Sequence, residues 1–238
     1  MDSNRDDRHG RTVAAGAPSV ERRSVVRNGR AEPRWPASLA VLGALTLYLL
    51  LPPQLTPGPK WVLPGLEVAL VLPLTVFNPD RSARESSLIR TVSVVLVALI
   101  NVANVGSLAL LVHFLLYGGR AQGRPLIYSA VAIWLTNIII FALWYWELDR
   151  GVPSQRSQGA QRAASFLFPQ MTGPGIGPEG WSPAFVDYLY VSFTNATALS
   201  PTDTMPLSRW AKMLMLVQAL ASLVTVALVA ARAVNILN

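Results

Sequence analysis

Side chains that could do chemistry are few in this chain and lie far apart. There is no cysteine, which removes thiolate nucleophiles, thiolate metal sites and disulfides. The two histidines, His9 and His113, fall in different segments, so a multi-histidine metal centre has no ligand set. No Ser/His/Asp set and no closely spaced pair of carboxylates converges at one membrane face, and the sequence predicts neither an enzyme nor a cofactor site. What stands out is a scatter of polar residues inside apolar runs: Glu67, Asn101, Asn104, Asn137 and Gln218. In hydrocarbon such groups are costly, and they serve either a polar pathway or hydrogen bonds between helices. Asn101 and Asn104 are three apart and share a helix face. Hydrogen bonding between helices is the simpler reading for the asparagines. Glu67 needs a partner or water, and His113, near the end of a span, reads as interfacial.

Two motif matches fail on context. Gly175-Ile176-Gly177-Pro178-Glu179-Gly180 has the spacing of a dinucleotide fingerprint, but it lacks the preceding strand and following helix that the motif requires. Asn195-Ala196-Thr197 has the form of a glycosylation sequon, yet it sits in an apolar segment with no sign of a secretory context.

The elements that must position these residues are membrane helices. Hydrophobic residues make up 52% of the 238 and charged residues 14%, against about 25% charged in soluble domains. About 20 apolar residues are needed to cross the roughly 30 Å of hydrocarbon. Apolar runs occur at 37–51, 61–77, 88–117, 126–146 and 210–237, with a shorter one at 184–199. The second is interrupted by Pro64, Gly65 and Pro73, which predicts a kink. Trp144, Tyr145 and Trp146 close the fourth, as aromatic rings do at the headgroup level. The Pro/Gly-rich stretch around Phe168-Pro169-Gln170 and 173–180 cannot be helical. The sequence shows no repeat and no barrel-type strand pattern.

Charge orients the spans. The formal charge of +7 is concentrated, with Arg5, Arg8, Arg11, Arg22, Arg23, Arg27, Arg30 and Arg34 all in the N-terminal tail. Basic residues here flank spans rather than forming a nucleic-acid face, so nucleic acid is not an expected partner. A cytoplasmic tail puts Arg81, Arg84, Arg90, Arg150, Arg156 and Arg162 inside as well, leaving Lys60, Arg120 and Arg124 outside, as the positive-inside rule prefers.

The segment from Asp187 onward carries a resemblance. It reads Asp187-Tyr188-Leu189-Tyr190-Val191-Ser192-Phe193, then Thr197-Ala198-Leu199-Ser200-Pro201-Thr202-Asp203, then Pro206. This resembles the pore module of tetrameric potassium-channel-like proteins, whose pore helix has the form D-x-L-Y-x-S-F. Their filter has the form T-x-V-G-Y-G-D, followed by a proline and an inner helix. Asp187, Leu189, Tyr190, Ser192, Phe193, Thr197, Asp203 and Pro206 match in register without a gap, and the final span with Gln218 resembles the inner helix. The overall layout also resembles an uncharacterised family of bacterial integral membrane proteins, which implies the cytoplasmic membrane of a bacterium. The filter itself departs from the pattern. Ser200 and Thr202 stand at the glycine positions and Pro201 at the aromatic one, and proline fixes φ and removes an N–H. A carbonyl ladder selective for potassium is not expected.

In such modules the pore helix enters from outside, whereas four spans after a cytoplasmic N-terminus deliver the chain to the inside. Three resolutions stay open: the proline-broken second span does not cross, the N-terminus is outside, or the module is inverted. The expected architecture is an all-α integral membrane helical bundle of about five transmembrane helices plus a re-entrant pore-like helix and loop. It divides into a disordered basic tail (1–36), a four-span region (37–147), a polar Pro/Gly-rich connector (148–182) and a pore-like helix, loop and final helix (183–238). The resemblance implies a channel-like protein with the lipid bilayer as its surroundings, a homo-oligomer if it forms a pore, and a monovalent cation as the permeant of a weakly selective filter. The alternative is a non-conducting membrane interaction or scaffold protein.

Overall fold

The computed structural model describes residues 32–33, 35–61, 64–65, 80–81, 87–117, 123–149, 164–173, 176–178, 181–197 and 203–237. Most of the tail, most of the second apolar run with Glu67, all of the 150–162 stretch, and the filter-like Ala198, Leu199, Ser200, Pro201 and Thr202 lie outside the described residues.

Among the described residues the chain is mostly helical. Five α-helices follow one another: α1 (Trp35–Leu50), α2 (Ser87–Tyr117), α3 (Gly123–Leu148), α4 (Phe185–Thr197) and α5 (Arg209–Leu237). Four two-residue strands pair as two short ladders. β1 (Glu32–Pro33) is antiparallel to β2 (Asp80–Arg81), and β3 (Phe166–Leu167) is antiparallel to β4 (Met205–Pro206). Stretches of α2, α3 and α5 (Thr91–Leu115, Pro125–Leu148 and Arg209–Ala231) are long and apolar enough to cross a membrane, while α1 and α4 are shorter.

Local sequence sets the helix ends. The Pro52-Pro53 pair cannot continue α1, and its last turn tightens, with the Leu51 N–H donating to the Tyr48 carbonyl at 3.1 Å. In α3, Pro125 sits in the first turn, where a missing N–H costs nothing. Asp187 caps α4. Its Oδ2 accepts the Ala184 N–H at 2.7 Å, the acidic half of a capping box. Ser208 caps α5, its hydroxyl accepting the Ala211 N–H at 3.3 Å.

Packing fixes the direction of each helix. α3 is central, touching α1, α2, α4 and α5. One core cluster joins Ala37 and Val41 of α1, Leu96 and Ile100 of α2, and Phe141 and Tyr145 of α3 with Phe185, Tyr188 and Ala211. A second joins Tyr48, Leu51 and Leu55 with Ala103, Leu111, Ala130 and Ile133. We call the first cluster's end of the bundle proximal and the second's distal. α1, α2 and α5 start at the proximal end and α3 finishes there. The turn after α1 lies at the distal end, where Pro57 leans on Gly106. A Cβ at Gly106 would stand 3.0 Å from the Pro57 Cγ, so only glycine lets that turn approach. At Asp80 the chain is again beside Glu32 and Pro33, immediately before the proximal start of α1.

α5 is polar inside and apolar outside. On α5 the buried positions are Ala211, Gln218, Ser222 and Thr225, whereas Met213, Leu216, Leu220, Leu223 and Val226 are exposed. On α2, Asn104 and Ser107 are buried beside Leu96, Val97, Ile100, Ala103 and Leu111, while Val95, Val102 and Val105 are exposed. A helix in water buries its apolar stripe. α5 buries a largely polar one.

Candidate pore-like site

α4 is the element on which the site turns. With 13 residues it is about 20 Å long, and it is wedged between α3 and α5. Its first turn lies at the proximal end, where Phe185 meets Trp146 edge-on at 6.2 Å. Its middle reaches Ile138 of α3 and Gln218 of α5. Ten residues separate Ile138 from the end of α3, and nine separate Gln218 from the start of α5, so α4 descends about 14 Å into the bundle. The chain then returns. Asp203–Ser208 lies back at the proximal end, where β4 pairs with β3.

The proximal closure is tied by hydrogen bonds. Asp149, just past the last turn of α3, accepts the Ser165 N–H at 2.6 Å through Oδ1 and the Tyr188 hydroxyl at 2.7 Å through Oδ2. The Ser165 carbonyl accepts the Leu207 N–H at 2.7 Å. Phe166 packs among Tyr145, Tyr188 and Trp210, with ring centroids 5.1–6.2 Å apart. The end of α3, the segment before α4, the segment after it and the start of α5 therefore meet at one level.

Deeper in, Gln218 is the hub. Its Oε1 accepts the Tyr145 hydroxyl at 2.6 Å and the Asn195 amide at 2.8 Å. Its Nε2 donates to the Ser192 carbonyl at 2.9 Å and to the Ser192 hydroxyl oxygen at 2.7 Å. Ser192 in turn donates to the Ile138 carbonyl at 2.6 Å, and Asn195 also donates to the Met215 carbonyl at 2.9 Å. One turn further down, the Asn137 amide donates to the Ser222 hydroxyl at 3.0 Å and to the Gln218 carbonyl at 3.4 Å. Tyr145, Ser192 and Gln218 are fully buried. The result is a polar seam along three helices in which every hydrogen-bonding capacity of the Gln218 amide is met.

The residues singled out by sequence fall in different places. Asn137, Ser192 and Gln218 meet in the seam. Asp187 caps α4, and Thr197 ends it half-buried, its hydroxyl donating to the Thr194 carbonyl at 3.0 Å. Tyr190 and Phe193 face outward with Val186, at 63%, 47% and 64% exposure. Asp203 is exposed beyond the loop. Asn101 and Asn104 do not join the seam. Asn101 lines an open groove of about 310 Å³ with Ala98, Val102, Val105 and Trp144. Asn104 faces a cavity of about 10 Å³ beside Thr136 and Tyr48, room for roughly one water molecule. Among the described residues no group of His, Asp and Glu could hold a metal ion.

Several seam residues escape a reading of the sequence alone. Tyr145, expected with its tryptophan neighbours at the headgroup level, is buried because its hydroxyl finds Gln218. Asn195, visible only as a discarded sequon, anchors α4 to α5. Ser222 and Thr225 continue the stripe of Gln218 at +4 and +7, and that spacing was the available signal. Comparison with protein families, characterised proteins and solved structures finds no match.

Proposed function

We propose that this chain is a channel-like integral membrane protein of a bacterial cytoplasmic membrane, with α4 as a re-entrant helix and the residues after it as a degenerate filter. One observation carries the reading. α4 starts at the end where α3 stops, runs about half the roughly 30 Å of a hydrocarbon core, and the chain comes back to the same end to begin α5. A helix held at half-depth, with the negative end of its macrodipole aimed at the bundle interior, favours a cation there. The inverted amphipathicity of α5 supports lipid as the surrounding solvent, because hydrocarbon rewards buried polar groups and tolerates exposed Leu and Val. The uncovered faces of α4 and α5, with Tyr190, Phe193, Met213, Leu216 and Leu220 exposed, support assembly of copies around a shared axis. Five crossings are the count this reading requires. The permeant is a monovalent cation, weakly selected.

Ion flux through purified protein in liposomes tests this. Cation flux above that of empty vesicles, reduced by Asp203→Ala, is the expected result. Flux indistinguishable from empty vesicles would sink it. The second reading, a non-conducting membrane scaffold, draws on the completeness of the seam. Gln218, Ser192 and Asn195 direct their hydrogen bonds to neighbouring helices rather than to an open lumen. It predicts no flux and full tolerance of substitution at Asp203.

A further inference from the structure

We infer that the mouth of the re-entrant segment opens to the cytoplasm, on the face that carries the N-terminal tail, so that this pore-like module is inverted relative to the one it resembles. The inference rests on the membrane reading above.

Four observations place the mouth and the tail together. The tail leads into β1, two residues before α1 begins at the proximal end. β2 pairs with β1, so the chain is proximal again before α2. α3 ends proximally, where Asp149 holds Ser165, and Ser165 holds Leu207. The approach to α4 and the departure from it, through Asp203, Met205 and Leu207, therefore lie on the tail's side. The pairing of Asp80–Arg81 with Glu32–Pro33 also argues against a non-crossing second span. The chain is distal at Leu55 and Pro57 and proximal at Asp80.

Charge then names the face. The tail, the 81–90 stretch, the 150–162 stretch and the start of α5 all join points at the proximal end. By chain order, 16 of the 20 Lys and Arg residues fall in segments that adjoin proximal points, and Lys60, Arg120, Arg124 and Arg232 fall in segments that adjoin distal ones. An excess of this kind marks the cytoplasmic side. Arg209 and Lys212, exposed beside the mouth, add to it. An ion or ligand that meets Asp203 thus comes from the cytoplasm.

The chain has no cysteine, so single cysteines report sidedness without a background to remove. Ser3→Cys in the tail, Asp203→Cys and Leu207→Cys at the mouth, and Trp61→Cys and Val234→Cys at distal positions would each be exposed to a membrane-impermeant maleimide. Labelling would be compared in intact cells and in inside-out vesicles of the full-length protein. The two mouth positions and the tail should react in inside-out vesicles and be protected in cells, with the reverse for Trp61 and Val234. Using two mouth positions guards against one variant failing to insert. Labelling of the mouth in intact cells overturns the inference, whether or not the tail accompanies it. Labelling of Asp203→Cys from the face opposite to Thr172→Cys, an exposed position on the approach to α4, would instead sink the re-entrant reading itself.

Discussion

Removing the Gln218 side-chain amide tests the seam most directly. Gln218→Leu has nearly the same volume and deletes four hydrogen bonds, to Tyr145, Asn195 and, twice, Ser192. Hydrogen bonds between membrane helices average roughly 0.6 kcal/mol, with a maximum of about 1.7. Four average bonds give about 2.4 kcal/mol. The Tyr145 hydroxyl, fully buried, also loses its acceptor, and an orphaned polar group costs about 1–3 kcal/mol. Leu returns part of this by being easier to desolvate, so a net loss of about 2–4 kcal/mol is expected. The measurement is reversible unfolding in mixed micelles of mild detergent and dodecyl sulfate. Tyr145→Phe deletes one bond and should cost about 0.5–1.5 kcal/mol. Because it shares that bond with Gln218, the double variant should fall short of the sum by about 0.5 kcal/mol or more. Gln218→Glu keeps the acceptor for Tyr145 and Asn195 but sets an oxygen against the Ser192 carbonyl, and should destabilise despite its matching shape. Additive single and double variants, or Gln218→Leu as stable as the parent chain, would refute the seam as the lock on α4.

Three further outcomes follow from other contacts. Asp187→Ala removes the cap on the Ala184 N–H and should lower stability by about 1 kcal/mol, while Asp187→Asn, which keeps an acceptor, should lose less in the same unfolding assay. Gly106→Ala places a methyl 3.0 Å from the Pro57 Cγ and should cost about 1–3 kcal/mol by overpacking, with Pro57→Ala relieving it in the double variant. Tyr188→Phe withdraws a hydroxyl from the buried Asp149 carboxylate and should cost about 1.5–3 kcal/mol, the range for hydrogen bonds to charged groups, with hydrogen exchange of the Ser165 and Leu207 amides rising as the proximal closure loosens.

The helices were legible because their signals are local. Long apolar runs without charge, the Pro52-Pro53 stop and the Asp187 cap each act within a few residues, so Ser87–Tyr117 differs by a single residue from the run read as 88–117. The seam was only half legible. A glutamine in an apolar run announces a polar contact, but not with what. Its partner Tyr145 lies 73 residues earlier in a helix whose aromatic cluster reads equally well as a headgroup belt. Asn101, Asn104 and Asn137 look alike in sequence. Only Asn137 faces α5, because the stripe Asn137, Phe141, Tyr145, Asp149 repeats every four residues along the side of α3 that α4 and α5 cover. Which face a central helix turns to which neighbour is a tertiary choice, and no periodicity in one segment encodes it.

On the membrane reading proposed above, the polarity of the seam follows from the length of α4. A helix that crosses a bilayer is held by its own apolar length, but 13 residues cannot span it. An apolar half-helix would gain less from packing on apolar neighbours in hydrocarbon than in water, since lipid tails offer much of the same contact. Its position must therefore be set by bonds that lipid cannot replace, and these are hydrogen bonds. They occur where they are needed: Asp187 and Tyr188 at the proximal turn, Ser192 and Asn195 near the deep end. The opposite face of α4 makes no such bond and carries Val186, Tyr190 and Phe193. Two faces of one short helix thus divide the work. The polar face fixes depth and rotation against α3 and α5, and the aromatic face stays uncovered, which is the arrangement an assembly of copies around α4 would require.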